Sequence, residues 1–211
     1  MKPIKSLLVL AIILAPAIAS AQYYGGGGGG PGYYNGPSNR IPGGFHNRTG
    51  RLTYGFSIGL GGMHDDGSGI TNCDNCSNAP ALELDGHIGG MLGPRFALMF
   101  EGQFNGRTIH SDFYDGDTVL SQSAAMIAGQ FWITPQLWVK GGLGLVGLQA
   151  DNTYVTYDYG TGVGVMGAIG FELMSARYFA IDLQGRIIEG TYNSGDDQVT
   201  AANVGLGFNW Y

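Results

Sequence analysis

Ala202-Asn203-Val204-Gly205-Leu206-Gly207-Phe208-Asn209-Trp210-Tyr211 closes the sequence, and its side chains alternate strictly. Ala202, Val204, Leu206, Phe208 and Trp210 fall on one face; Asn203, Gly205, Gly207 and Asn209 fall on the other. A strand sends successive side chains to opposite faces, so this stretch is a ribbon with one oily side and one small, polar side. Such a ribbon fits the closing strand of a transmembrane β-barrel, with its oily side toward lipid.

The same alternation recurs upstream and makes eight strands in all. Leu52, Tyr54, Phe56, Ile58 and Leu60 face outward in the first strand, and Leu82, Leu84, Gly86 and Ile88 in the second. The third presents Phe96, Leu98, Phe100, Gly102 and Phe104. The fourth, about 119–131, is rich in Ala, Ser and Gln, and its facing stays open. The fifth to seventh turn every second residue outward over 137–145, 163–171 and 179–187. Polar connections over 64–80, 106–117, 149–160 and 190–198 alternate with short ones at Gly93-Pro94, Thr134-Pro135 and 174–177. Strands of about 9–11 residues match the thickness of a hydrocarbon layer. An even strand count puts both ends of a barrel on one side, and short turns belong to the periplasmic side. The expected fold is therefore all-β, an eight-stranded antiparallel up-and-down transmembrane β-barrel.

The N-terminus reads differently. Lys2 and Lys5, an apolar run from Leu7 to Ala19, and Ala19-Ser20-Ala21 are the three parts of a secretory signal peptide, with cleavage expected after Ala21. The run is shorter than the roughly 20 apolar residues of a membrane helix. No cysteine follows the expected cleavage site, which argues against a lipoprotein anchor. Without Lys2 and Lys5, eight basic residues face sixteen acidic ones, and the mature chain carries −8. Such an acidic chain is a poor nucleic-acid binder. Residues 22–50, with six glycines in a row from Gly25, hold too little apolar surface to fold alone. They read as a flexible Gly/Tyr-rich periplasmic tail, with an adhesive or partner-binding segment as the alternative. The barrel is assigned to 51–211.

Signal peptide, eight strands, alternating connection lengths and an aromatic-ended last strand resemble the small outer-membrane barrels of the OmpA/OmpX type. The C-terminal Asn203, Gly205, Phe208 and Trp210 resemble the assembly signal of bacterial outer-membrane proteins, with Tyr211 as one residue beyond it. The resemblance implies an integral outer-membrane location with both termini periplasmic. It also implies outer-membrane lipid and the barrel-assembly machinery as partners, and a monomer. The chain ends at the barrel, so a peptidoglycan-binding role is not expected.

Inward charges are the main candidate site residues: Glu83, Asp85, Glu101, Glu172 and Asp182 against Lys140 and Arg186. A charge sealed inside a barrel must be paired or wet. Lys140 is expected near Glu172, and Arg186 near Glu101. A plugged interior is favoured over a narrow channel for small solutes, because eight strands leave a bore that side chains fill. His87 is the one inward histidine, expected to bond a strand neighbour. Outward Phe96, Phe171, Phe179 and Trp210 read as an interfacial girdle.

Cys73-Asp74-Asn75-Cys76 lies in the first long connection. It lacks the helix of a redox motif and the second pair of a zinc site, so a structural disulfide between Cys73 and Cys76 is expected. Asp65, Asp66 and Asp74 nearby match no calcium loop and read as a solvated acidic segment. Two G-x-G-x-x-G matches, starting at Gly142 and Gly162, continue as strand rather than helix, so they are not dinucleotide sites. Their glycines make room for large inward neighbours. A few barrels of the family this chain resembles are lipid A-modifying enzymes, which makes His110-Ser111-Asp112 a candidate set. Three consecutive residues in an extended segment do not bring nucleophile and base together. No catalytic residue, metal or cofactor is expected, and the role is read as envelope structure or surface contact.

Overall fold

The computed structural model describes residues 44–65, 76–111, 117–152, 156–192 and 197–211. Its strands are β1 (Leu52–Asp65), β2 (Cys76–Asn78), β3 (Ala81–Met91), β4 (Phe96–Ser111), β5 (Thr118–Trp132), β6 (Leu137–Asn152), β7 (Thr156–Ser175), β8 (Phe179–Tyr192) and β9 (Asp197–Trp210). Eight of them form a closed antiparallel barrel: β1 pairs with both β3 and β9, and β4 joins β5 to complete the ring. The short β2 continues the ladder of β3 on β4, with Asn78 opposite Ile109. Pro80, which has no N–H to give, separates the two pieces.

The outer wall carries a band of exposed apolar side chains, from Leu52 to Leu60 on β1 and through Leu98, Leu143, Ile169 and Leu183 on other strands. Val163 and Leu145 are 66% and 64% exposed. On most strands the band is five outward residues tall. At about 3.3 Å per residue and a tilt of about 40° that is roughly 20–23 Å. A folded chain surrounded by water seldom exposes an apolar surface of this extent.

The strands run beyond the band. β7 has 20 residues, and β4 and β6 have 16 each. Most of 106–117, 149–160 and 190–198, expected as loops, is therefore strand. The reason is a change of phase. In β8, Ile187 faces out and its neighbour Ile188 faces in; above them Glu189 faces out and Tyr192 is fully buried. In β6 the change falls between exposed Leu145 and buried Val146, and in β9 between buried Ala201 and exposed Ala202. Below this level the outward face is apolar and the inward face carries the charges, with Met and Trp packed among them. Above it, in β6, β8 and β9, apolar residues face in and polar ones out, while the ladder of backbone hydrogen bonds continues. A reading that follows the outward apolar face stops where that face ends.

The same reversal explains β5, whose facing the sequence left open. Leu120, Gln122, Met126, Ala128, Gln130 and Trp132 point inward and are buried, while Val119 and Ile127 point outward. Outward serines above and outward apolar residues below leave no single apolar face to read. One irregularity sits in the upper part of β7. The register against β6 shifts between Gly147 and Gln149, and Gly160 takes a left-handed backbone with φ 84°. Asp158 Oδ1 accepts the Gly160 N–H at 2.8 Å and holds that turn of chain.

Candidate functional site: a layered lumen

The inward side chains fill the bore in layers stacked from the short-turn end upward. The lowest layer centres on Glu172. Arg48 donates to both its carboxylate oxygens, at 3.0 and 3.3 Å, and Trp132 Nε1 donates at 2.7 Å. Arg48 also donates to Ser175 Oγ and the Ala176 carbonyl. Its guanidinium lies 3.7 Å from the ring centre of Tyr211. Burial, and then the nearby Glu172 carboxylate, hold the Tyr211 phenol well above its usual value, so it stays a neutral donor. Beside this group, Asn209 donates to Asp182 at 2.6 Å, and Trp138 is fully buried.

Arg48 belongs to the segment expected as a flexible tail. At its C-terminal end that segment is packed: Phe45 and Arg48 are 4% and 3% exposed, and Phe45 lies under Arg95. Arg48 also takes the carboxylate expected for Lys140. Trp138 stands opposite Gly170 and Lys140 opposite Ala168, so Glu172 lies two inward rows below Lys140. Two rows are about 13 Å along a strand, beyond a lysine's comfortable reach.

Lys140 instead bonds Glu101 at 3.0 Å in the middle layer. Arg186 is the hub there. Its Nε lies 3.2 Å from Glu83, and its Nη1 lies 2.9 Å from Asp85 and 2.8 Å from Glu101. These are close charge contacts rather than aligned hydrogen bonds, since none of the three guanidinium nitrogens finds a well-directed acceptor. His87 Nδ1 lies 3.6 Å from Asp85 Oδ1, the same oxygen that accepts from Ser57 at 3.4 Å. Gln103 donates to Glu83 at 3.4 Å. Inward glycines make room for the carboxylates: a Cβ on Gly59 would strike Glu83 in this layer, and one on Gly207 would strike Asp182 in the layer below.

A chain of amides crosses the bore above the charges. Asn203 donates to Asn105 at 2.9 Å, Asn105 to Gln122 at 3.4 Å, and Gln122 to the Tyr192 hydroxyl at 2.8 Å. Around and above this chain the lumen is lined by apolar side chains: Leu120, Val146, Leu148, Ile188, Val199 and Ala201 are all buried. Arg107 reaches into this level and donates to the Met63 carbonyl.

Phe208 and Trp210 lie on the outer wall at the closing seam, stacked on Phe56 and Tyr54 of β1 at 5.1 and 5.7 Å. Asn203 and Gly205 face β1 from inside, opposite Gly61 and Gly59. Phe179 packs on Trp210 at 5.0 Å, while Phe96 and Phe171 stand on other strands. Cys76 begins β2; Cys73, and with it the expected disulfide, lies outside the described residues. Asp65 ends β1, whereas Asp66 and Asp74 lie outside them too. His110 and Ser111 are the last residues of β4, paired with Ser77 and Cys76, and Asp112 is not described.

Sequence reasoning missed Arg48, Trp132 and Tyr211. The available signal was an arginine three residues after Phe45, just ahead of the first strand. Among the described residues these side chains fill much of the bore. Two depressions of about 480 and 510 Å³ open in the wall; one, beside Gly167 and Gly185, reaches Arg186 and Asn203, and the other, beside Gly86 and Gly102, reaches Asp85 and Gln103.

No family model and no curated protein matches the sequence. Among solved structures the chain is similar to Ail, the attachment invasion locus protein of Yersinia pestis, determined in complex with the heparin analogue sucrose octasulfate. The TM-score is 0.54 at 14% identity, covering 76% of this chain and 99% of Ail. It is also similar to Neisserial surface protein A, with a TM-score of 0.51 at 12% identity over 75% of this chain and 96% of that one. At such identities the likeness is one of fold: the protein has the closed, eight-stranded, up-and-down architecture of the small outer-membrane barrels.

Proposed function

We propose that this protein is a non-enzymatic integral protein of a bacterial outer membrane, a sealed barrel whose outside contacts are made at its long-loop end. The filled lumen carries this reading. Ion pairs, a chain of amides and an apolar layer stack across one bore, and each leaves little room for a solute. The outward apolar band supports residence in a bilayer, and the N-terminal leader supports export. In this orientation the short turns and both mature termini face the periplasm. A monomer inserted by the barrel-assembly machinery fits a chain whose outer wall meets lipid all round.

A non-enzymatic role also suits the one His, Asp and Ser contact set in the described lumen. There Asp85 stands between Ser57 and His87, so the imidazole does not address the hydroxyl as a base would. Charge narrows the contact. Among the described residues, Asp65, Asp117, Asp151, Asp158, Glu189 and Asp197 lie toward the long-loop ends of the strands, and the other five acidic residues are the lumen set. That end suits a partner with a basic surface, and it is a poor match for a polyanion such as the one bound to Ail.

The test is single-channel recording of the refolded mature chain in planar bilayers. Silence is expected. Steady conductance would replace the sealed barrel with a narrow channel for small solutes.

A further inference from the structure

The short-turn end carries the opposite charge. Arg51, Arg95 and Arg177 lie there, each one or two residues before a lipid-facing residue of the lowest row: Leu52, Phe96 and Phe179. They therefore share one height, at the lower edge of the apolar band. Each guanidinium is held against an aromatic ring. Arg51 lies 4.6 Å and Arg177 5.1 Å from the ring centre of Tyr178, and Arg95 lies 4.0 Å from that of Phe45.

Two like charges on one exposed ring are an unfavourable pair unless an anion joins them. Arg51 donates to the Arg177 carbonyl at 3.4 Å, which draws the two side chains together. The Tyr211 N–H bonds the Tyr178 carbonyl at 3.0 Å and pins the turn. Among the described residues no carboxylate lies within ion-pair distance of Arg51, Arg95 or Arg177, and the nearby Glu172 is already taken by Arg48. The Arg177 Nε is buried without an acceptor. Exposed Leu52, Leu173 and Met174 continue the surface upward into the apolar band.

We propose that Arg51, Arg177 and Tyr178 form a headgroup site for an anionic phospholipid of the membrane leaflet at the short-turn end. The phosphate sits between the two guanidinium groups, and the acyl chains lie along Leu52 and Met174. Planar guanidinium groups suit a phosphate's oxygens, and a headgroup held at the band's edge satisfies charge and hydrocarbon together. Arg95 adds positive potential farther round the rim. This inference rests on the proposed membrane residence.

The test uses the mature full chain refolded into phosphatidylcholine vesicles containing a trace of spin-labelled phosphatidylglycerol or spin-labelled phosphatidylcholine. Electron paramagnetic resonance then compares the two labels in the lipid shell next to the protein. A roughly five-fold preference for phosphatidylglycerol is expected, weakened by added sodium chloride. In Arg51→Gln/Arg177→Gln the preference should fall toward parity, with folding checked by the heat-dependent gel shift of the barrel. Equal shells in the wild type overturn the site, whether or not the double variant folds. So does a preference that survives in a folded double variant. Loss of the preference in millimolar inorganic phosphate would assign the arginines to free anions and overturn the lipid occupant. A chain that never enters vesicles overturns the membrane reading itself, an outcome distinct from entry without preference.

Discussion

The lower and upper halves of the barrel enclose the same bore with opposite chemistry. Around Arg186 the interior is ionic and the exterior is Leu, Ile and Phe. Around Leu148 and Ile188 the interior is hydrocarbon, while outward neighbours such as Gln149 and Glu189 are polar. One continuous set of strands thus combines a membrane barrel with a small water-type barrel above it. The fold requires alternation, but which face is oily depends on what lies outside; on the proposed membrane residence, the phase change in β6, β8 and β9 falls where lipid gives way to water.

The two halves should break in different ways. Arg186→Ala leaves Glu83, Asp85 and Glu101 crowded without their main cation, and the expected loss is about 3–5 kcal/mol. The urea midpoint of the vesicle-refolded protein measures it, and a shift worth less than about 1 kcal/mol would mean that the hub is not what holds this layer. Arg48→Ala strands the buried Glu172 in the same manner. Its site is closer to the short-turn mouth, where water can re-enter once Arg48 is gone, so roughly 2–3 kcal/mol is expected from the same titration.

Leu148→Ala tests the upper half. Cavity formation there should cost about 2–4 kcal/mol without creating any conductance. A neutral result would show that the apolar layer is loosely packed. The boundary itself is tested on the outer wall of β6. Leu145→Arg, within the apolar band, should cost about 2–4 kcal/mol, whereas Gln149→Arg, beyond it, should cost about 0–1 kcal/mol. Equal costs would move the membrane boundary away from the phase change. The smallest effect among the inner charges is expected from Lys140→Met. Glu101 keeps Arg186 at 2.8 Å, so a loss of about 1–2 kcal/mol should be found in the same midpoint assay.

Much of this was legible along the chain. The last strand, with Phe208 and Trp210 outward, and the glycine-lined inner faces of β1, β6 and β7 follow from a period of two. The inward set Glu83, Asp85, Glu101, Lys140, Glu172, Asp182 and Arg186 follows from the same parity. Strand lengths above the band did not, because 149–160 and 190–198 lose their outward oily face and look like loops. Partner choice was half legible. Arg186 meets Glu101 as expected, yet Lys140 and Glu172 part company because parity gives a residue's face and not its height.

Arg48 was the least legible residue. Nothing in a Gly-rich segment says that one of its arginines will turn back beneath a barrel and close on Glu172, Trp132 and Tyr211. The sequence by itself determined the alternation, the strand count and the sign of each face, since these depend on spacing along one chain. The tertiary structure decided which charges meet, where the polarity reverses and what closes the short-turn mouth. Those depend on the stagger between strands and on distances across the bore, which exist only once β9 has closed on β1.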